Sequence, residues 1–242
     1  MKQHRSFSEW TVRLLCLLLG LYILAQGIAF TILANLGTDA ITSPALVAHM
    51  VLGKSDFGMG YEFCTVGCML ICIHCLLALL QIALLRSKYQ PIQLLQIVNG
   101  LILGAMVDLS LSYTCLLPVP NYAASLAYTL LGCIVCAFGI YTFVKADMIP
   151  LSAEGLCLAL SRTFNWRFSR VKVAVDCTLI AAAVLASWIL LGRIEGVREG
   201  SLICAVSTGF MIGWFFRFCP LWDKVFAAVG HRPVDEKDVE LA

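Results

Sequence analysis

The stretch ILANLGTDAITSPALV, residues 32–47, decides how this chain folds. It opens like the end of an apolar helix, turns polar at Asn35, and runs through Gly37, Thr38 and Asp39. It then meets Pro44 before a short apolar return. Glycine and proline interrupt helices, the one through its freedom at positive φ and the other through its missing N–H. What a hydrophobic chain gains by interrupting itself depends on the solvent around it.

Composition identifies that solvent. Of 242 residues, 60% are hydrophobic and 13% charged, with a mean hydropathy of +0.88, outside the range of soluble globular domains. Crossing the roughly 30 Å hydrocarbon layer takes about 20 apolar residues. Six stretches approach or reach that length: 14–34, 63–85, 92–107, 122–144, 173–191 and 201–216, the third and last being short. The first follows Lys2, Arg5 and Arg13 as a secretory signal would, but its apolar run exceeds a signal's core of about 7–15 residues and no small-x-small cleavage site follows. It reads as a retained first span. A net charge of +2 with scattered basic residues excludes nucleic acid as a partner. The 12 cysteines lie almost entirely inside apolar segments and are not read as a disulfide framework.

Two shorter apolar segments remain, 41–52 after the opening stretch and 151–160 after KADMIP (145–150). Each follows a long helix, begins at a polar turn and carries a breaker, Gly37 and Pro44 in one case and Pro150 in the other. The parallel extends outward. AQGIAFTILANL (25–36) lies over AFGIYTFVKADM (137–148), pairing Ala25 with Ala137, Gly27 with Gly139, Ile28 with Ile140 and Ala34 with Ala146; further on, Gly60 meets Ser169 and Gly104 meets Gly209. The expected organisation is therefore two homologous membrane repeats, 1–117 and 118–219, followed by a cytoplasmic tail, 220–242.

Lysine and arginine favour the cytoplasmic side. If all eight segments cross with the N-terminus inside, 12 of the 17 Lys and Arg are cytoplasmic. If the two short segments dip in and return, Lys54 moves out while Arg86, Lys88 and Lys145 move in, making 14 of 17. Re-entrant segments fit better, with both termini cytoplasmic in a cell membrane. Three crossings per repeat then invert the second copy relative to the first. In such folds, short interrupted segments at matching positions point to a solute site, because non-helical backbone at membrane depth survives only where protein or a water-filled cavity shelters it.

ANLGTDAITSP, KADMIP with EGLCLALSR, RVKVAVD and EGSLICAVSTG together resemble the YczE/YyaS/YitT family of bacterial integral membrane proteins, over roughly residues 12–216. The resemblance implies a small polytopic protein of two similar halves and a transporter-like role. Ala34 to Asp39 match the first-half turn, Glu154 and Gly155 the acidic-Gly of the second half, and Arg170, Lys172 and Asp176 its basic-to-acidic helix. Gly200 and Gly209 match the last helix. Ala40, Ile149 and Ser169 depart from the family pattern.

Ionisable residues in apolar segments cost roughly 2.5–3.5 kcal/mol at a helix centre on insertion scales, which makes them functional candidates. Asp108 and Asp176 qualify, although Asp176 stands four residues after Lys172 and an i,i+4 pair is the plain structural reading. Asn35, Thr38 and Asp39 in the first break, with Asp147, Ser152 and Glu154 in the second, form the more interesting set. A broken helix leaves amides and carbonyls unpaired, which can hold a charged ligand; the plain reading has Thr38 or Asp39 capping one short helix and Ser152 the other. In CTVGCMLICIHC (64–75), Cys64, Cys68, Cys72 and Cys75 share an arc of roughly 80° at about 100° per residue, with His74 beside it. One straight helix cannot wrap a tetrahedral ion, so neither a metal nor another cofactor is expected and these thiols read as packing. GLILG (100–104) and AVSTGFMIG (205–213) space small residues for close helix contact. His49 reads as a packing histidine. No nucleophile elbow, phosphate loop or zinc-protease motif occurs, and an enzyme is not expected.

The resulting expectation is an all-α polytopic membrane bundle, six long spans plus two short re-entrant helices, in contact with the lipid bilayer. Its function reads as a permease holding a small polar solute between the repeats, with Asn35, Thr38, Asp39, Glu154 and Asp176 as contacts. The alternative is a non-transporting membrane partner or regulator, or the solute-binding subunit of a larger complex; the expected protein contacts are another membrane protein or a second copy of the chain.

Overall fold

A computed structural model of the protein describes residues 7–54, 64–86, 91–166 and 168–228. Among them every regular element is helical: α1 Phe7–Ala34, α2 Thr42–Lys54, α3 Val66–Leu85, α4 Leu95–Thr114, α5 Tyr122–Lys145, α6 Ser152–Phe164, α7 Phe168–Leu191, α8 Glu199–Phe218 and α9 Leu221–Ala228, with a 3₁₀ turn at Pro91–Leu94. Six of these, α1, α3, α4, α5, α7 and α8, are long and apolar enough to cross a membrane. The intervening α2 and α6 have 13 residues each, about 20 Å at 1.5 Å per residue, which is short of the hydrocarbon layer. Asp56, Gly60, Lys88 and 231–242 lie outside the described residues.

Of the boundaries that differ from the sequence reading, two rest on contacts between helices. The third span does not stop before Asp108 but runs on to Thr114, because Asp108 is satisfied from a neighbouring helix: its carboxylate accepts from Thr65 Oγ1 at 2.6 Å and the Gly67 amide at 2.7 Å. The carboxylate thus sits at the positive N-terminus of α3, beside the Thr65 hydroxyl that caps Cys68 N. The stretch assigned to the start of the tail folds as α9, whose Phe226 is buried and whose Asp223 takes Lys145 Nζ at 2.6 Å.

The centre of the bundle is the crossing of α1 and α5, the most extensive helix pair. Glycines let the two backbones touch. A methyl on Gly27 would stand 2.5 Å from Cys136 N, one on Gly139 2.5 Å from Leu24 N, and one on Gly20 2.5 Å from Phe143 N. Positions rising along α1 meet positions falling along α5, so the helices are antiparallel. Three crossings before α5 produce that relation and four would reverse it. The antiparallel pair therefore agrees with α2 returning to the side it entered from.

The remaining helices pack around this pair. α4 leans on α1 and α8 on α5; α3 packs on α2, α4 and α6, and α7 on α2 and α6. One end of the bundle gathers the C-terminus of α1, the α4–α5 loop and the α7–α8 loop, where Gly200 N donates to Leu36 O at 2.7 Å. The other gathers the start of α1, the end of α5 and the start of α4, where Arg13 donates to Ala146 O at 2.7 Å and Asn99 to Ile149 O at 2.8 Å.

Candidate functional site

The first break is built by its sequence residue by residue. Asn35 ends α1 in the left-handed conformation at φ 53°, and Gly37 continues at φ 105°, where a side chain would be strained and would press on Ser201 and Arg198. Ser43 Oγ then donates back to Asp39 O at 2.9 Å and pairs with Thr38 Oγ1 at 3.1 Å. Asp39 Oδ2 accepts from the Ile41 and Thr42 amides at 3.3 and 3.4 Å, so the expected cap of the short helix is Asp39. Pro44 falls in the first turn of α2, where its missing N–H removes no helical bond; it starts this helix and does not break it.

The second break repeats the device with different chemistry. α5 ends at Ala146, Asp147 takes φ 47°, and the buried Arg13 guanidinium covers the freed Ala146 carbonyl, reaches Asp147 at 3.4 Å and pairs with Glu9 at 2.9 Å. A cation at a helix C-terminus meets the negative end of its dipole. Pro150 precedes α6, whose N-cap residue is Leu151 and whose start has no side-chain cap. The cap expected from Ser152 is therefore not made: Ser152 is the first helical residue, and its hydroxyl has no partner among the described residues.

Between the two short helices lies a cluster of charge. Lys172 Nζ, from α7, is 2.9 Å from Asp176 Oδ1 and 3.9 Å from Glu154 Oε1 on α6. Asp39, from the opposite end of the bundle, is near enough for its charge to act on both Glu154 and Asp176. Glu154, Lys172 and Asp176 keep 22, 30 and 26% of their side chains accessible. Charged groups set among apolar helices are tolerated where they face the bundle interior or a watered hollow, and not lipid.

Of the residues expected at the site, the fold brings Asp39, Glu154 and Asp176 into one electrostatic neighbourhood. Thr38 is fully buried beside them with its hydroxyl committed to Ser43. Asn35 stands apart, exposed at the end of α1, its carbonyl accepting from Arg198. The expected Lys172–Asp176 pair is present, but Lys172 also reaches Glu154, a link that no spacing along the chain announces. Thr42 and Ser201 were missed, and Ser152 was expected beside Glu154 with capping as its plain role. All three are buried with hydroxyls unpartnered among the described residues, as are Asp39 Oδ1 and Glu154 Oε2. The available signal was position: each hydroxyl lies within the first turns of a helix.

The other candidates resolve into packing. Cys64 precedes α3 and is buried, Cys72 is exposed, and Cys68 and Cys75 lie between; Cys68 adjoins Cys72 through a side-chain hydrogen bond. Among the described residues no three His, Cys, Asp or Glu side chains are placed to hold a metal. His74 is buried under Gly100 of α4, and His49 Nδ1 meets Cys64 O.

Six helices long and apolar enough to cross a membrane, with two half-length helices following the breaks, mark a multi-pass membrane protein. The chain belongs to a family of unknown function, DUF6198, whose model matches residues 11–217. No curated protein and no solved structure matches it.

Proposed function

We propose that the chain is a small-solute permease of the cell membrane, built from two inverted copies of one four-helix unit, with a mid-membrane site between the starts of α2 and α6, where Ile41 packs with Ala153 and Leu156. The observation that carries this reading is the set of buried oxygens without partners among the described residues at the two helix starts, Asp39 Oδ1 and Thr42 Oγ1 on one side, Ser152 Oγ and Glu154 Oε2 on the other. Buried polar groups left unpaired cost about 1–3 kcal/mol each, and sites that bind solutes are where a fold retains them.

Several features support the two-copy arrangement. Gly20 and Gly132, Gly27 and Gly139, and the left-handed Asn35 and Asp147 are each 112 residues apart. Shifting the contacts of Gly27 with Cys136 and Gly20 with Phe143 by that interval, with the helices exchanged, yields those of Gly139 with Leu24 and Gly132 with Thr31. Helix pairs correspond likewise, α1–α4 with α5–α8, α2–α3 with α6–α7 and α2–α7 with α3–α6. Kinship with the YczE/YyaS/YitT family belongs to the same proposal. So does orientation: Arg13, Lys145, Arg217 and Lys224 gather at one end of the bundle and Arg193 and Arg198 at the other, which favours cytoplasmic termini.

The test is uptake by purified protein in liposomes, paired with a thermal-stability screen against a metabolite library. A permease takes up a solute that also stabilises it, and both effects vanish in Asp39→Asn and Glu154→Gln. A flat screen with no uptake, and steady co-purification with another membrane protein, would instead mark a subunit of a larger assembly.

A further inference from the structure

Resting on that reading of the site, we infer that its solute carries a single positive charge: an alkali ion or the protonated amine of a small organic cation. Asp39, Glu154 and Asp176 bring three carboxylates. Among the described residues, Lys172 is the cation that acts on Glu154 and Asp176. The starts of α2 and α6 add about half a positive charge each, which leaves about one negative charge unmatched in a setting where an unmatched charge is expensive.

The free atoms agree in kind. Glu154 Oε1 faces Lys172, but Oε2 is buried with no partner among the described residues; Asp39 Oδ2 caps α2, but Oδ1 is buried with none among them. An ionised carboxylate oxygen can only accept hydrogen bonds, so a guest must bring donors or positive charge. Thr42 and Ser152 are 0% exposed, and their hydroxyl oxygens are also unpartnered. Thr42 adjoins the Asp39 carboxylate that takes its amide, and Ser152 shares the first turn of α6 with Glu154. The two helix starts thus offer a carboxylate and a hydroxyl oxygen each, hard oxygen donors suited to an alkali ion or an ammonium group and not to a soft metal. An anion finds the opposite situation: Asp39 already occupies the start of α2, and Lys172 is engaged by Asp176 at 2.9 Å.

The experiment titrates the purified full-length protein in detergent with sodium chloride in one arm and methylammonium chloride in the other, tetraethylammonium chloride holding ionic strength constant, and follows the melting temperature. A saturable rise in the sodium arm assigns an inorganic cation, and one in the methylammonium arm an amine. Asp39→Asn and Glu154→Gln are expected to raise the half-saturating concentration about tenfold or more, which corresponds to 1.4 kcal/mol or more. Asp39→Asn should keep the wild-type melting temperature without either cation, because asparagine preserves the helix cap. Should either acidic variant fail to fold, Thr42→Ala leaves every charge in place and is expected to weaken the response several-fold. Stabilisation that follows the anion at fixed cation, or that comes only from neutral or anionic metabolites, overturns the cation assignment and leaves the binding site standing. No response to any small solute, with no liposome uptake, overturns both.

Discussion

Helices α3 and α4 are sealed together, whereas α7 and α8, which follow α6 as α3 and α4 follow α2, are not. A methyl on Gly67 would stand 2.5 Å from the Asp108 carboxyl carbon, one on Gly104 2.6 Å from Gly67 O, and one on Gly100 2.8 Å from His74 Cβ. Gly209 on α8 has nothing within 4 Å, and among the described residues α7 and α8 share no comparable interface. The apolar windows of α7 and α8 are each 11% buried, against 33% and 39% for α3 and α4. Glycine alone therefore does not make a helix seam; the backbone it exposes needs a partner. Within the proposed permease, the sealed pair closes one flank of the site and the open pair leaves the flank beside Lys172 and Asp176 free to move. Alternating access would exchange the two conditions.

The largest effect expected from this contrast concerns direction across the membrane. The α3–α4 turn and the α7–α8 turn lie at opposite ends of the bundle, so thiols introduced at the exposed Leu94 and Arg193, in a chain lacking Cys72, Cys115 and Cys177, should react with an impermeant reagent from opposite sides. Reaction from the same side would mean that α6 crosses and that the inverted arrangement is wrong. Next in size is Gly67→Ala, whose methyl would collide with the backbone of α4; it should destabilise the protein by about 2–3 kcal/mol, near the upper end for overpacking. Gly209→Ala, facing open space, should be neutral or stabilise by up to about 1 kcal/mol through helix propensity. Equal losses at both glycines in denaturant unfolding would abolish the contrast. Asp108→Ala removes the acceptor at the start of α3 and should cost about 1–2 kcal/mol, read in the same assay. The smallest effect is dynamic. Spin labels at Leu185 and Val206, exposed on α7 and α8, should give a broader distance distribution than labels at Leu76 and Leu101 on α3 and α4, and the former should respond to a bound solute.

Much of this molecule was legible before folding was considered. Long apolar runs give the six spanning helices, since only a helix satisfies its own backbone in hydrocarbon, and Asn35, Gly37 and Pro150 mark where runs end. Asp39, Glu154 and Asp176 were legible as site candidates because a carboxyl in an apolar segment is costly. The continuation of α4 past Asp108 was not, because the groups that satisfy it, Thr65 and Gly67, belong to another helix 43 and 41 residues away. Nor was the role of α9, which depends on Lys145 and Asp223, 78 residues apart.

What the sequence by itself determined is the solvent and the segmentation: a chain this apolar cannot hide in water, and its polar interruptions cannot face lipid. What the tertiary structure decided is which interruptions meet. The antiparallel glycine crossing of α1 and α5 carries the two breaks to opposite ends of the bundle, and the segments that follow them bring Asp39 to bear on Glu154. That encounter depends on distances through space between residues more than a hundred positions apart, and no local preference of either segment encodes it.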